Sequence, residues 1–233
     1  DCKKGKAFCK ADRVGVDKLV KDAFKYNMCY EEKDAINLQW RNNCKNNNHF
    51  KNMIAMIDTS ASMLENGSNA MYSAIGLGIK IAEKSNIGKR VLTFSGEPSW
   101  INLDDCNNFV EMVQKIKEAP WGSNTNFRKA LKLILDTALE NNIPPKDMEN
   151  MSLIIFTDMQ IDCPWNNHTD NNLPIFQMME EKYKLYNYKL PHIIFWNLRS
   201  TNGFPSLTNE LNTSMMSGIN PQLLNKFSEK GIE

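Results

Sequence analysis

Residues 52–63, with the sequence NMIAMIDTSASM, decide the fold of this chain. An uncharged apolar run ends at Asp58, and Ser60 and Ser62 follow at alternate positions. A run of this kind between polar, Asn-rich segments is typical of a buried parallel strand. Ligands of open α/β sheets bind just beyond the carboxyl ends of the strands. One carboxylate and two hydroxyls there are hard oxygen ligands of the kind that Mg²⁺ prefers, so the stretch predicts a strand that ends in a metal-binding loop.

Further strands and helices alternate along the rest of the chain. Strand-like sequence occurs at 90–95 (RVLTFS), 99–103 (SWINL), 151–158 (MSLIIFTD), 192–196 (HIIFW) and near 214–217. Helical patterns begin near Ala70, Phe109, Phe127 and Pro221 and cover 172–187. The alternation predicts an α/β fold: a doubly wound, Rossmann-like sheet of five mostly parallel strands, with one short antiparallel edge strand at 99–103. Gly76 and Gly78 lie too far past the first strand to bind phosphate, and we interpret them as positions of close helix–sheet packing.

The region before the first strand predicts two amphipathic helices within residues 12–46. Their apolar positions recur at three- and four-residue spacing, at Val16, Leu19, Val20, Ala23 and Phe24 in the first helix and at Ile36 and Trp40 in the second. Such stripes must be covered, so the helices either pack on the following domain or end an upstream helical domain. We divide the chain into a helical segment at 1–49, the tail of an upstream helical region, and a domain at 50–233. Because the chain begins with Asp1 rather than Met, we expect it to be part of a longer protein.

The composition is that of an ordinary globular protein, with 42% hydrophobic and 24% charged residues among 233. The net charge of +1 argues against a nucleic-acid partner for this segment, because phosphate binding requires a clustered basic surface. No apolar run reaches the roughly 18 residues that span a bilayer, so we expect no membrane partner. None of the six cysteines forms a C-x-x-C pair. We therefore expect the cysteines to be free thiols in a reducing compartment, and the protein to be cytoplasmic.

Three loops are predicted to meet at the carboxyl edge of this sheet. Asp58, Ser60 and Ser62 follow the first strand, Thr125 precedes the helix that begins at Phe127, and Asp158 ends the strand at 151–158. These residues offer two carboxylates and three hydroxyls, and Mg²⁺ completes its six oxygen ligands with water. Because only two of the side chains carry charge, the bound ion would remain incompletely neutralised. We therefore expect it to attract a carboxylate from a protein partner.

The same residues resemble a known family. The D-x-S-x-S of Asp58–Ser62, the Thr of WGSNTNF and the Asp of IIFTDMQ are similar, in order and context, to the metal-ion-dependent adhesion site of von Willebrand factor A-type domains. The resemblance implies that Ser60, Ser62 and Thr125 contact the ion directly, whereas Asp58 and Asp158 act largely through water or hydrogen bonds. The implied ion is Mg²⁺, with Mn²⁺ or Ca²⁺ as alternatives. Ala61 departs from the Gly of many members, and this change should not affect coordination.

A wider resemblance covers nearly the whole chain. The segments INLQW, WGSNTNF, IIFTDMQID, IIFWNLR and SGINPQLLNKF look like the C-terminal part of a widespread uncharacterised family, whose members carry a helical region followed by an A-type domain. The A domain of the Ro RNA-binding protein is more distantly similar in architecture. The resemblance supplies the fold and the metal site but no established activity.

Three alternatives compete with a metal-dependent binding module within a larger intracellular protein. Asp58 and Asp158 could simply cap the following helices, although capping does not explain the accompanying hydroxyls. A metal-dependent phosphoester hydrolase would need more carboxylates, and a haloacid-dehalogenase-type phosphatase needs a second Asp where this chain has Ser60. Neither a G-x-S-x-G nor a phosphate-binding G-x-x-x-x-G-K-[ST] motif is present. A scaffold for a ribonucleoprotein rests on architecture alone. We therefore predict a binding module rather than an enzyme, with its oligomeric state left open.

Overall fold

The computed structural model describes residues 14–44, 50–67, 69–119, 126–158, 175–199 and 212–218. The helices are α1 (Val16–Ala23), α2 (Tyr30–Asn43), α3 (Ala70–Ala82), α4 (Phe109–Lys117), α5 (Phe127–Glu140), α6 (Pro145–Met148) and α7 (Ile175–Leu185), with a 3-10 helix at Ala61–Gly67. The strands are β1 (Met53–Asp58), β2 (Arg90–Phe94), β3 (Trp100–Asn102), β4 (Ser152–Thr157), β5 (His192–Asn197) and β6 (Thr213–Ser217). The predicted closing helix at Pro221 lies outside the described residues. No helix in the described part of the chain is long and apolar enough to cross a membrane.

The strands form one six-stranded sheet in the order β3-β2-β1-β4-β5-β6. Five strands, β1, β2, β4, β5 and β6, run parallel to one another, and the edge strand β3 runs antiparallel to β2. This confirms the predicted doubly wound α/β sheet with its short antiparallel edge. β1 and β4 are central neighbours, with Ile57 opposite Phe156. Their carboxyl ends therefore lie side by side, which places Asp58 and Asp158 at the same edge.

Each face of the sheet carries its own hydrophobic core. Side chains alternate between the two faces of a strand, so Ala55 and Ile57 of β1 pack with α3 and α4, whereas Ile54 and Met56 pack with α5 and α7. All six residues of β1 and all six of β4 are buried. Burial on both faces explains why these strands are continuous apolar runs without polar alternation.

The N-terminal helices pack on the domain and complete one of these cores. Val16, Leu19, Val20 and Ala23 of α1 are almost fully buried, together with Trp40 of α2. Of the two arrangements left open for these helices, packing on the following domain is the one present in the structure. The division of the chain near residue 49 remains a prediction.

Gly76 and Gly78 of α3 serve two different contacts. A Cβ on Gly78 would lie 2.8 Å from Cδ1 of Ile57, so its absence permits close packing of α3 on β1. A Cβ on Gly76 would instead collide with Val16 of α1. The interpretation as helix–sheet packing is therefore correct for Gly78 and wrong for Gly76, which permits a helix–helix contact that the local pattern could not reveal.

Candidate metal site

Asp58, the last residue of β1, has a carboxylate that is held at both oxygens. Oδ1 accepts a hydrogen bond from the backbone N–H of Ser60 (2.9 Å), and Oδ2 accepts one from the Thr157 hydroxyl (2.7 Å). The first bond turns the chain sharply after the strand, and the second joins the ends of β1 and β4. Only 3% of Asp58 is exposed. These contacts fix the orientation of the carboxylate before any ligand arrives.

The hydroxyls of Ser60 and Ser62 lie next to each other in the loop after β1, with their Oγ atoms 2.9 Å apart. Adjacent oxygen ligands in an octahedral Mg²⁺ site, each about 2.1 Å from the ion, are about 3 Å apart. The spacing of the two hydroxyls therefore suits neighbouring positions around such an ion. The alternate placement of the serines predicted that both would face the site, and the structure brings them together.

Asp158 follows β4 directly and is 1% exposed. Its chain neighbour Thr157 bonds Asp58, so the two strand-end carboxylates belong to one connected set of residues. Asp158 also faces a cation, because Oδ2 lies 3.4 Å from Nη1 of Arg199. The sequence prediction that Asp58 and Asp158 would meet at this edge agrees with these positions.

Burial dominates the electrostatics of Asp58. Withdrawal from water raises the pKa of the Asp58 carboxyl above its ordinary value, and the nearby charge of Asp158 acts in the same direction. Hydrogen bonds from Thr157 and Ser60 oppose that rise in pKa. Two acidic groups held close together in a protected place favour the arrival of a cation, which would stabilise both in their charged form.

Arg199 is part of this site, although its residue type and spacing gave no signal for it. Nη2 donates a hydrogen bond of 2.8 Å to the backbone carbonyl of Ser62, while Nη1 faces Asp158. The backbone N–H of Arg199 donates to Oδ1 of Asn197, the last residue of β5. Only the place of Arg199 in the sequence could have indicated this role. It closely follows β5, a buried strand whose carboxyl end lies at the edge of the sheet that carries Asp158.

The fifth predicted ligand, Thr125, lies outside the described residues, and its contribution remains a prediction. Its chain neighbour Asn126 is described. The backbone N–H of Asn126 donates to the carbonyl of Ser95 (3.0 Å), which directly follows β2. The Asn126 side chain accepts a hydrogen bond from the Lys129 N–H and so caps α5. α5 therefore begins at the same edge of the sheet as the loop after β1.

The donors brought together here suit a hard divalent cation. They are carboxylate and hydroxyl oxygens, which match Mg²⁺, Mn²⁺ or Ca²⁺ better than metals that prefer sulfur or imidazole. Within the described ranges, no group of three or more His, Cys, Asp or Glu side chains could hold a metal ion. A metal at this edge would therefore depend on the serine hydroxyls as well as on the two acids.

The sheet order and the helices on its two faces give a fold like that of von Willebrand factor A-type domains, as the resemblance in sequence implied. The Ro protein (RSR) of Deinococcus radiodurans aligns with 86% of this chain and 38% of its own, at 13% identity and a TM-score of 0.52. Proximal thread matrix protein 1 from the mussel byssus, solved with a zinc-occupied MIDAS motif, aligns with 76% of this chain and 43% of its own, at 17% identity and a TM-score of 0.44. These likenesses concern the fold.

Residues 52–233 match the family described as Domain of unknown function (DUF7788), and the chain belongs to that family. A curated relative, Uncharacterized protein L728 of Acanthamoeba polyphaga mimivirus, is 35% identical over 182 residues, which cover 75% of this chain. The chain spans only 30% of the length of that relative.

Proposed function

We propose that this domain is a metal-dependent protein-binding module. Asp58, Ser60, Ser62, Thr125 and Asp158 would hold Mg²⁺, and the ion would supply an open coordination position for an acidic side chain of a partner. The observation that carries the proposal is the pair of serine hydroxyls 2.9 Å apart beside an acid that is held at both oxygens. Such an arrangement positions hydroxyl and carboxylate oxygens as ligands for a cation.

The roles of the chain's own residues follow from their contacts. Asp58 orients the loop after β1 through the Ser60 N–H, and Thr157 fixes Asp58. Two acids carry too little charge to neutralise a divalent ion fully in the presence of Arg199, so the loaded site would favour an anionic partner. Among the described cysteines, Cys29, Cys44 and Cys106 are free thiols. Free thiols support a reducing, cytoplasmic setting.

The metal part of the proposal is tested by thermal unfolding with Mg²⁺ or Mn²⁺ and with chelator. A ligand that binds only the native state raises the melting temperature. We expect millimolar metal to raise Tm by several degrees in the wild type, and Ser60→Ala with Ser62→Ala to remove most of the increase. Ser85→Ala is the matched control, because it deletes a hydroxyl that bonds the Met53 carbonyl at the opposite end of β1. An equal metal response in the wild type and the double variant would refute the site.

The binding part is tested on peptide arrays in which each Asp or Glu is paired with Asn or Gln. We expect the metal-loaded domain to retain acidic peptides and to lose them in chelator and in the Ser60→Ala, Ser62→Ala variant. Binding that is indifferent to metal would contradict capture of a carboxylate. Metal-dependent turnover of phosphoesters that disappears in Asp58→Ala would instead establish the hydrolase alternative.

A further inference from the structure

We propose that the guanidinium of Arg199 is a fixed positive charge within the metal site, here called the resident cation, and that it weakens the affinity of the site for divalent ions. The inference rests on the proposed function, because it concerns how that same site is loaded. Arg199 approaches a predicted ligand, Asp158, with one nitrogen and the loop that carries another, Ser62, with a second. A fixed positive charge at this place competes electrostatically with a divalent ion for the same acidic group.

The position of Arg199 is built into the fold. Its backbone N–H bonds Oδ1 of Asn197, which is itself 1% exposed. The preceding residue, Leu198, donates its N–H to the carbonyl of Thr157, next to Asp158. The side chain of Arg199 is 13% exposed and that of Asp158 is fully buried. A guanidinium held by these contacts differs from that of an exposed surface arginine, whose ion pair would contribute little to stability.

The charge count shows the consequence. Asp58 and Asp158 bring two formal negative charges, and Arg199 cancels one of them. A divalent ion therefore meets a site with half the net attraction that the acids alone would give. This loss of attraction is the repulsion between the ion and the guanidinium, and it acts in a poorly solvated place where charges interact strongly. The site would then load only at higher concentrations of a divalent ion than it would without Arg199.

A purely structural role for Arg199 makes the opposite prediction. Its two nitrogens connect the loop after β1 to the end of β4, so deletion of a mere connector would loosen the ligands and weaken metal binding. A resident cation predicts tighter metal binding after removal of the charge. The direction of the change in Kd therefore separates the two roles.

The experiment is calorimetric titration of the full chain with Mn²⁺, together with thermal unfolding in chelator. We expect Arg199→Gln to bind Mn²⁺ about tenfold or more tightly than the wild type, and Arg199→Lys, which keeps the charge, to stay within about threefold of it. Arg41→Gln, which removes the same charge from the exposed surface of α2, should leave the Kd unchanged. In chelator, Arg199→Gln should melt below the wild type because the Ser62 and Asp158 contacts are lost.

The possible results separate failure of this inference from failure of the site. Mn²⁺ binding that survives Ser60→Ala with Ser62→Ala, or that is undetectable in every protein, overturns the metal site and this inference with it. Binding that depends on the two serines but is unchanged or weaker in Arg199→Gln overturns only the role of Arg199. If Arg199→Gln does not fold, Arg199→Met, which keeps the aliphatic stem, replaces it. Failure of both neutral variants to fold would show a structural role and overturn the proposal.

Discussion

Asp58 and Glu83 are acidic side chains whose surroundings in the folded domain exclude much of the water, and their neighbours differ. Asp58 lies at the carboxyl edge of the sheet, and Glu83 lies where α2 packs against the end of α3. Burial is the main cause that raises the pKa of each carboxyl. Next to Asp58, Asp158 raises the pKa further, whereas next to Glu83 the charges of Lys89 and Lys84 lower it.

The surroundings of Glu83 identify it as part of a structural contact. Nε1 of Trp40 donates a hydrogen bond to Oε1 of Glu83 (3.1 Å), and the Trp40 ring stacks on Phe109 with centroids 3.9 Å apart. The ammonium of Lys80 lies 5.9 Å from the centre of the same ring. The chain thus supplies both a donor and positive charge around Glu83. At Asp58 the charge that acts on the carboxyl is the negative one of Asp158, and a second carboxylate nearby favours binding of a cation from solution.

The largest expected effect is that of Asp58→Ala. The change leaves the Thr157 hydroxyl and the Ser60 N–H without their acceptor, and each buried donor left unpaired costs about 1–3 kcal/mol. Relief of repulsion with Asp158 offsets part of this cost. We expect the free energy of unfolding in chelator to fall by about 2–4 kcal/mol, measured by urea denaturation. Asp104→Ala, at an exposed acid, should change it by less than about 0.5 kcal/mol. Equal stability of the two variants would show that the Asp58 hydrogen bonds contribute little.

The Glu83 contact is tested by a matched pair of tryptophan variants. Trp40→Phe removes the N–H that reaches a charged acceptor, and Trp100→Phe removes one that reaches the neutral Thr137 hydroxyl (2.7 Å). Hydrogen bonds to charged groups contribute about 1.5–3 kcal/mol, and those between neutral groups about 0.5–1.5 kcal/mol. We expect Trp40→Phe to destabilise the protein by about 1 kcal/mol more than Trp100→Phe in urea denaturation. The reverse order would mean that the Trp40 contact is mainly one of packing.

The sequence predicted the Asp58 side of this comparison because its signals are local. An apolar run that is buried on both faces ends at Asp58, and the alternation of Ser60 and Ser62 lies within four residues of it. The order of strands and helices then places Asp158 at the same edge. All six strands were predicted for the same reason, since the apolar residues of a buried strand and the turn residues that bound it lie within a few positions of each other in the sequence.

The parts that escaped prediction depend on long-range contacts. Trp40 and Glu83 are 43 residues apart, and Arg199 and Ser62 are 137 apart. Neither pair follows a helix or strand period. Glu83 stands in the polar segment AEKS and is indistinguishable in sequence from a solvated helix end. The short helix α6 was missed because the prolines of IPP suggested only a break, although Pro145 occupies the first turn, where proline is tolerated.

The smallest effect concerns pH and tests the burial of Glu83 without removing the acceptor of the Trp40 hydrogen bond. Because burial raises the pKa of the Glu83 carboxyl in the folded protein, the folded state binds more protons than the unfolded state between the two pKa values. The contribution of Glu83 to stability is therefore fully present below the unfolded value, about 4.3, and declines as pH rises through the folded one. Glu83→Gln keeps an acceptor for Trp40 but cannot ionise. We expect the difference in free energy of unfolding between Glu83→Gln and the wild type to shift in favour of the variant as pH rises from about 4 to 7, in urea titrations with chelator. A difference that stays constant with pH would show that the Trp40 hydrogen bond and the nearby lysines fully compensate the burial of Glu83.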